Sequence, residues 1–201
     1  AALARLDAVL SGYLGSAEIA EVVGASVTSA KSANPRASYC LDPVLGAAGR
    51  GLYAAPDTAA AIKHTLVPVA DIVTPNQFEL EYLTDHNTST QADLLAAADE
   101  LRGRGPSAVL ITSVHTDDTP PDHVDVYCVR DEASWRVRTP KLAIAVGGTG
   151  DVATALFLGH SLGGASAPES LTKSIESVFD LLAHTEAVGG DELALVAAQH
   201  C

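Results

Sequence analysis

The segment Gly147-Gly148-Thr149-Gly150-Asp151 stands directly before an apolar stretch with helical spacing, and its residue types suit catalysis. Glycines let several backbone N–H groups converge at the start of a helix, where they form a binding site for an anion. The helix dipole stabilises a carboxylate at this place. Asp151 is also positioned to take a proton from a hydroxyl whose attack on phosphorus builds negative charge beside the same amides.

The same segment has two other interpretations. A loop that caps a helix, with an aspartate in the first turn, is locally as good an explanation. The spacing of Gly148, Gly150 and Ala153 also fits a dinucleotide-binding fingerprint. We discount the fingerprint because the segment lies late in the chain and lacks a following β-α-β unit, and because Asp151 would face the pyrophosphate.

Polar residues at the ends of the predicted strands form a second group. Ligands of parallel sheets bind beyond the carboxyl ends of the strands, although each of these residues taken alone is more typical of a loop. The carboxylates of Asp42 and Glu79 could hold Mg²⁺ between phosphate oxygens, directly or through water. The whole group is Gly12, Tyr13, Asp42, Pro43, Thr74, Pro75, Asn76, Glu79, Thr112 and Ser113.

A competing motif is Gly159-His-Ser-Leu-Gly163, which matches the GxSxG nucleophile elbow of serine hydrolases, with Ser161 as the nucleophile. The elbow needs a buried strand before the serine and a helix directly after it. The sequence instead predicts a helix before Gly159 and a loop over 164–168. Too little chain follows for the later strands of a hydrolase, whose acid and histidine would be Asp180 or Asp191 and His184 or His200.

Two common ligand-binding patterns are missing from the sequence. The seven histidines show no HExxH or paired spacing, and no Walker A sequence of the form GxxxxGK[ST] occurs. If the chain uses ATP, its phosphate site is therefore of another kind.

Strand-like and helix-like segments alternate through the first half of the chain, which predicts a doubly wound α/β fold with a mostly parallel sheet. Thr90-Gln-Ala-Asp93 is a predicted capping box for the Ala-rich helix that ends at 103–105. The predicted strands are 7–11, 37–41, 71–74 and 108–113, and the predicted helices are 16–34, the helix that begins at 55–57, 78–83 and the one that begins at Thr90.

The pattern changes after a polar loop at 117–122. Segments 124–129 and 134–138 alternate in polarity and predict an antiparallel hairpin. The C-terminal part predicts helices at 150–160, 168–188 and 191–199. Because no repeat, linker or low-complexity tract is visible, we expect one domain over 1–201.

Charge and composition restrict the partners. A formal net charge of −13 argues against nucleic acid but not against a nucleotide, since helix N-termini and a divalent cation can hold phosphates. No apolar run could span a bilayer, and the first residues do not resemble a signal peptide. The three cysteines lie far apart without metal spacing, which is typical of a cytoplasmic protein.

Taken together, five segments resemble the pyridoxal kinases in sequence, order and separation. Related hydroxymethylpyrimidine kinases share the general scheme, but GYLGS and TPNQFELE favour the pyridoxal kinases. The resemblance covers essentially the whole chain. The segments are DAVLSGYLGS (7–16), CLDPVLG (40–46), ADIVTPNQFELEYL (70–83), VLITS (109–113) and GGTGD (147–151).

The resemblance implies a ribokinase-like fold and an enzyme of vitamin B6 salvage. Such an enzyme transfers the γ-phosphate of ATP to the 5′-hydroxymethyl group of pyridoxal. It uses Mg²⁺ or another divalent cation, often with K⁺, and forms a homodimer. Family members begin with a strand, further substrate-contacting residues and a covering loop that precede Ala1, so the resemblance also implies a longer protein. A non-catalytic nucleotide-binding remnant therefore stays open as an alternative.

Roles for individual residues also follow from the resemblance. Asp151 would be the general base, and Gly148, Thr149 and Gly150 would form the anion hole. Tyr13 would lie against the pyridine ring. Some family members have lysine at the position of Thr112, and the hydroxyl found here suits other members. The nucleotide and its metal would be bound by Asp42, Thr74, Asn76, Glu79, Thr112 and Ser113, of which Asp42 and Glu79 would serve the metal.

Overall fold

A computed structural model describes residues 2–131 and 133–197, and its main feature is a six-stranded sheet with helices on both faces. The sheet has the order β1-β2-β5-β6-β7-β8, and β3 pairs with β4 in a separate small hairpin. The strands are β1 (Ala8–Ser11), β2 (Ser38–Leu41), β3 (Gly46–Ala47), β4 (Gly51–Leu52), β5 (Ile72–Val73), β6 (Ala108–Val114), β7 (His123–Arg130) and β8 (Ser134–Pro140).

The first four strands of the large sheet pair in parallel, and β7 and β8 add an antiparallel hairpin at one side. This arrangement confirms the predicted fold class and the predicted hairpin. The helices are α1 (Ala17–Ala33), α2 (Pro56–Ala61), α3 (Gln77–Thr84), α4 (Gln91–Arg102), α5 (Thr149–Leu162) and α6 (Ala167–Ala187), with shorter helical turns at Leu3–Arg5, Ile62–Leu66 and Val67–Val69.

Alternation along the central strands divides the core between the two faces of the sheet. Val109 and Ile111 of β6 pack with residues of α1 to α4, whereas Ala108 and Leu110 pack with residues of α5 and α6. A strand directs successive side chains to opposite faces, so a strand covered on both sides is apolar throughout. This explains why 108–111 reads as a continuous apolar run.

The predicted cap of α4 is present in part. The hydroxyl oxygen of Thr90 accepts the Asp93 N–H at 3.1 Å, as an N-cap should. In a capping box the Asp93 side chain would also accept the backbone N–H of Thr90. Here Asp93 Oδ2 accepts the Thr90 hydroxyl instead, at 2.7 Å. A full capping box occurs instead at α3, from Asn76 and Glu79.

The prediction of a helix at 191–199 is wrong for the residues that the structure describes. Gly189, at a φ of +67°, follows the end of α6, and residues 191–197 form turns. The N–H of Ala194 donates to the Thr185 hydroxyl at 3.1 Å, so the segment folds back on α6. A helix this short is marginal in water unless packing stabilises it. Residues 198 and 199 lie outside the described part.

Across the described residues, none of the helices combines the length and apolar character that crossing a membrane requires.

Candidate active site

The carboxyl ends of β1, β2, β5 and β6 lie at one edge of the sheet, and a cleft of about 450 Å³ opens there. Every residue to which the resemblance assigns a role, except Tyr13, lines this cleft. The structure therefore brings together residues that lie as far apart in sequence as Asp42 and Asp151. The predicted residues in the lining are Asp42, Thr74, Asn76, Glu79, Thr112, Ser113, Gly148, Thr149, Gly150 and Asp151.

Asp42 is buried at the end of β2 and connects the strand ends to α5. Its backbone N–H donates to the carbonyl oxygen of Ser11 at 2.9 Å, which extends the pairing of β2 with β1. The Thr154 hydroxyl donates to Asp42 Oδ2 at 3.4 Å and lies 2.8 Å from the Thr74 hydroxyl. Three elements, β2, β5 and α5, thus meet at the Asp42 carboxylate.

Glu79 is buried at the start of α3, and its two carboxylate oxygens accept three backbone N–H groups. Oε2 accepts the N–H of Asn76 at 2.9 Å, which completes the capping box of α3. Oε1 accepts the N–H of Leu45 at 2.7 Å and that of Gly46 at 3.3 Å. The Asn76 side chain adds a bond from Nδ2 to the Gly46 carbonyl oxygen at 2.8 Å. Asn76 and Glu79 therefore hold the small β3–β4 hairpin at the rim of the cleft.

The glycine loop before α5 brings Asp151 towards the strand ends. Gly148 is the N-cap residue of α5 at a φ of +88°, a conformation that favours glycine. Asp151 is the third residue of α5 and is exposed. Gly12 lies opposite it, and a Cβ at Gly12 would be in ordinary van der Waals contact with Asp151 Oδ1, at 3.5 Å. The first-turn N–H groups of α5 have no intrahelical partner, so they are available to an anion.

Three carboxylates create an acidic end of the cleft. Burial, together with the nearby Glu79 and Asp151 carboxylates, raises the pKa of Asp42 to about 7. Burial also raises the pKa of Glu79, while the N–H groups of Asn76, Leu45 and Gly46 oppose that rise. Buried carboxylates that repel one another are stabilised when a cation binds between them. The electrostatics of this end favour a cation.

The carboxylates Asp42 and Glu79 fit a divalent cation that phosphate oxygens help to hold. Within residues 2–131 and 133–197, no group of three or more histidine, cysteine, aspartate or glutamate side chains could enclose a metal by itself. Mg²⁺ commonly binds through one or two carboxylates, with substrate phosphates and water completing its shell. Glu79 Oε2 accepts one N–H and retains a lone pair for this purpose.

The wall beside Thr112 and Ser113 has an irregular backbone. The pairing of β6 with β7 shifts register between Ile111 and Val114, which marks a bulge. Ser113 has a φ of +54°, and Val44, across the cleft, has a φ of +43°. Such conformations are unfavourable for residues with a Cβ, and they cluster at functional sites in proteins. Two strained residues in the lining of one cleft support its functional importance.

The sequence did not identify the rest of the lining. The apolar floor consists of side chains from the β7–β8 hairpin and α6, among them Val124, Val126, Ile175 and Phe179. These residues look like ordinary core positions, and only the packing of α6 on the hairpin turns them towards a cleft. The lining also includes Lys141, its single lysine or arginine within the described chain.

His115 also lines the cleft and lies near Lys141. Burial and the nearby Lys141 lower the pKa of His115, while Asp125 opposes the change. The lining therefore combines a group of carboxylates and one lysine with an apolar surface. That distribution suits a ligand with an apolar ring system and a phosphate tail whose charge is shared with a metal.

Tyr13 and Ser161 lie outside the cleft lining. Tyr13 is 66% exposed and follows Gly12, the residue that faces Asp151. Ser161 lies within α5, and its hydroxyl donates to the carbonyl oxygen of Phe157 at 2.8 Å. A nucleophile elbow requires a serine at a sharp turn between a strand and a helix, so this position does not support the hydrolase interpretation.

Comparison with known proteins gives a consistent result. A family model described as phosphomethylpyrimidine kinase matches residues 3–195. The pyridoxal kinase PdxY of Leifsonia xyli subsp. xyli is 44% identical over 197 residues, which cover 98% of this chain and 70% of that protein. The pyridoxal kinase PdxY of Deinococcus radiodurans is 47% identical over 204 residues, with 98% and 68% covered.

A solved structure agrees with the sequence comparisons. The pyridoxal kinase of Leishmania donovani, in complex with ADP and pyridoxine, superimposes with a TM-score of 0.87 at 27% sequence identity. The match covers 97% of this chain and 69% of that one. The similarity extends over nearly the whole chain, so the doubly wound architecture predicted from the sequence is confirmed.

Proposed function

We propose that this chain, which belongs to the phosphomethylpyrimidine kinase family, is a kinase of pyridoxal. It would transfer the γ-phosphoryl group of ATP to the 5′-hydroxymethyl group of pyridoxal. The predicted ribokinase-like fold and the pyridoxal kinases among the relatives support this activity. The observation that carries the proposal is the position of Asp151. It stands in the first turn of α5, beside Gly12 and near the buried Asp42.

The phosphate end of the proposed site is the start of α5. The N-cap residue Gly148 has no side chain that could bind the first-turn N–H groups, so these groups can bind the transferred phosphoryl group. Gly148, Thr149 and Gly150 form the proposed anion hole. Negative charge that develops in the transition state is stabilised by fixed donors that need no reorganisation.

Asp151 is the proposed general base. As the 5′-hydroxyl oxygen attacks the γ-phosphorus, the O–H bond breaks and the proton passes to the Asp151 carboxylate. The new O–P bond forms while the bond to the β-phosphate oxygen breaks, and ADP leaves. Asp151 is exposed and lines the cleft, so its carboxylate is accessible to the acceptor hydroxyl.

The carboxylates Asp42 and Glu79 would hold the divalent metal. When bound, Mg²⁺ neutralises phosphate charge and so supports the displacement. Asp42 lies at the junction of β2, β5 and α5, where it accepts the Thr154 hydroxyl, which in turn is hydrogen-bonded to the Thr74 hydroxyl. Glu79 offers one remaining lone pair of Oε2, while its other interactions hold the β3–β4 hairpin.

The nucleotide would lie along the wall and floor of the cleft. Thr112 and Ser113 supply hydroxyls, Thr74 and Asn76 line the phosphate side, and the hairpin and α6 supply an apolar surface for the base. The acceptor would lie on the opposite side of Asp151, where Tyr13 is exposed. An aromatic ring at this place can stack on a pyridine.

A direct assay tests the activity. The purified protein is incubated with ATP, Mg²⁺ and pyridoxal, ADP release is followed, and the product is identified by mass spectrometry as pyridoxal 5′-phosphate. We expect ADP formation that depends on pyridoxal. ATP hydrolysis without an acceptor, or no turnover despite nucleotide binding, would contradict the proposal, and the second result would favour the non-catalytic remnant.

A hydroxymethylpyrimidine kinase is the second candidate, because the matching family model is described as phosphomethylpyrimidine kinase. Both acceptors carry a hydroxymethyl group on a nitrogen heterocycle, so the same base and anion hole would serve. Comparison of kcat/KM for pyridoxal and for hydroxymethylpyrimidine decides between them. We expect the higher value with pyridoxal.

Several features that the resemblance implies stay predictions. They are the homodimer, the use of K⁺, the single-domain organisation and the cytoplasmic location.

A further inference from the structure

The side chain of Gln77, the first residue of α3, pairs with the backbone of His115 across the cleft wall. Gln77 Oε1 accepts the His115 N–H at 2.8 Å. Its Nε2 lies 3.4 Å from the His115 carbonyl oxygen, a longer contact with the same residue. A side-chain amide that faces both polar groups of one residue holds that residue as a neighbouring strand would.

The orientation of this amide is fixed from its other side. Gln77 Nε2 donates to the Thr88 carbonyl oxygen at 2.9 Å and to the Thr88 hydroxyl at 3.0 Å. Thr88 is fully buried, and its N–H and hydroxyl both donate to Glu81 Oε1 at 2.9 Å. A flipped amide would place its oxygen against these acceptors, so Oε1 must face His115.

The segment that Gln77 holds is the strained part of the cleft wall. Ser113 adopts a φ of +54° inside the bulge of β6. Thr112 is fixed on its own side, because its N–H donates to the Pro75 carbonyl oxygen at 3.0 Å. The start of α3 therefore holds the segment 112–115 at both ends, through Pro75 and through Gln77.

We propose that Gln77 is a positioning residue that keeps Thr112 and Ser113 in the geometry that binds the nucleotide. The proposal rests on the proposed function, which assigns these two residues to ATP. Backbone strain persists only where the surroundings over-determine it, and the Gln77–His115 pairing supplies that constraint. The Asn76–Glu79 cap does not use the Gln77 side chain, so the acidic end of the cleft is independent of it.

The test is the variant Gln77→Met, which keeps a side chain of similar length and removes the amide. We expect the KM for ATP and the Kd for ADP to rise about 5- to 10-fold, as expected for the loss of one or two hydrogen bonds that order a binding segment. The KM for pyridoxal should stay within about twofold, because Gln77 has no role at the acceptor side.

The matched control is Thr84→Val on the same helix. Thr84 is buried like Thr88, and its hydroxyl donates to the Leu80 carbonyl oxygen at 2.8 Å, without contact to His115. This variant should lose stability without a change in the KM for ATP. If Gln77→Met does not fold, Thr88→Val is the alternative variant. It removes the hydroxyl, one of the two Thr88 acceptors of Gln77 Nε2, and should raise the KM for ATP by a smaller factor.

The outcomes separate this proposal from the proposed function. A wild-type protein that binds ADP but does not phosphorylate pyridoxal overturns the proposed function, while the ADP titrations still test the role of Gln77. Equal Kd values for ADP in wild type and folded Gln77→Met overturn the positioning role. Equal increases in both KM values overturn it as well, since they indicate a general structural effect.

Discussion

Glu79 Oε1 accepts a hydrogen bond of 2.7 Å from the backbone N–H of Leu45, a residue 34 positions earlier in the chain. The same carboxylate accepts N–H groups of Gly46 and Asn76, so it joins the β3–β4 hairpin to the start of α3. Glu79, which is proposed to bind the metal, therefore also holds two parts of the fold together. Experiments on Glu79 must separate these two roles.

The first prediction concerns Glu79→Gln. A glutamine has one acceptor oxygen, so its NH₂ group must face an N–H that Glu79 now accepts, and that donor loses its partner. The free energy of unfolding should fall by about 1–3 kcal/mol, which corresponds to a Tm lower by about 2–4 °C for each kcal/mol. In addition, activity should need more Mg²⁺ than in the wild type, because a divalent ion gains more from a carboxylate than from an amide.

Two controls separate the roles of Glu79. Glu81→Gln, on the same helix, retains an oxygen that can accept both donors of Thr88, so its Tm should change little. Thr112→Ala should leave the Mg²⁺ titration of activity closer to that of the wild type than Glu79→Gln does. Identical Mg²⁺ titrations for wild type and Glu79→Gln would remove Glu79 from the metal site.

The second prediction is that Asp42→Asn stabilises the protein when divalent metal is absent. The folded pKa of about 7 lies above the usual aspartate value of 3.8, so between these limits the folded state binds the extra proton. Stability therefore falls as the pH rises through this window, and asparagine avoids the loss. The Tm of the variant should exceed that of the wild type by several degrees near pH 8 and approach it near pH 4.

Thermal unfolding of both proteins across this pH range, in the presence of a chelator, checks the prediction. Saturating Mg²⁺ and nucleotide should reverse the order, because only the wild type gains binding energy from the Asp42 carboxylate. A wild-type Tm that rises relative to the variant between about pH 5 and 8 without metal would contradict the assigned direction of the pKa shift.

The sequence predicted the polar half of the site but not the apolar half. Asp42 is followed by Pro43, Glu79 lies three residues after Asn76, and Asp151 follows Gly150. Such residues mark the ends of elements, and the parallel topology brings these ends together. Val126 and Phe179 carry no such marker. Their place in the cleft depends on the register of the antiparallel hairpin and on how α6 packs against it.

The roles of Gln77 and Leu193 illustrate the same limit. Gln77 is a helix N-terminal residue in the sequence, and its partner His115 is known only once β6 is placed beside α3. Leu193 belongs to a segment whose composition predicts a helix, but the segment turns back, so a Cβ at Gly148 would lie 3.5 Å from Leu193 Cδ1. Both places depend on tertiary contacts, and at Leu193 these contacts overrode the local helix propensity.

The third prediction is that Tyr13→Ala affects the acceptor and not the nucleotide. The ring is exposed and follows Gly12, the residue that faces Asp151, and stacking of such a ring on a pyridine contributes about 0.5–1.5 kcal/mol. The KM for pyridoxal should rise about two- to tenfold, and that for ATP should stay nearly constant. Tyr13→Phe is the control, because it keeps the stacking surface and should behave as the wild type. A rise in the KM for ATP alone would place Tyr13 on the nucleotide side.

The last prediction concerns Asp151→Asn, which keeps the size and polarity of the side chain and removes the base. General-base catalysis contributes about 10²- to 10⁴-fold, so kcat should fall by about that factor. ADP binding should survive, because the N–H groups of the first turn of α5 remain, and loss of a negative charge beside the phosphates can tighten it.

Asp93→Asn provides the matched control for this variant. Asp93 is the third residue of α4, as Asp151 is of α5, but it lies outside the cleft lining. If Asp151 acts only as a favourable charge at a helix start, the two variants should lose similar small amounts of stability and keep full turnover. If Asp151 is the base, only its variant should lose turnover while both retain their fold and Asp151→Asn still binds ADP. Normal kcat in Asp151→Asn would remove this residue from the mechanism, and the proposed reaction would need another proton acceptor at the start of α5.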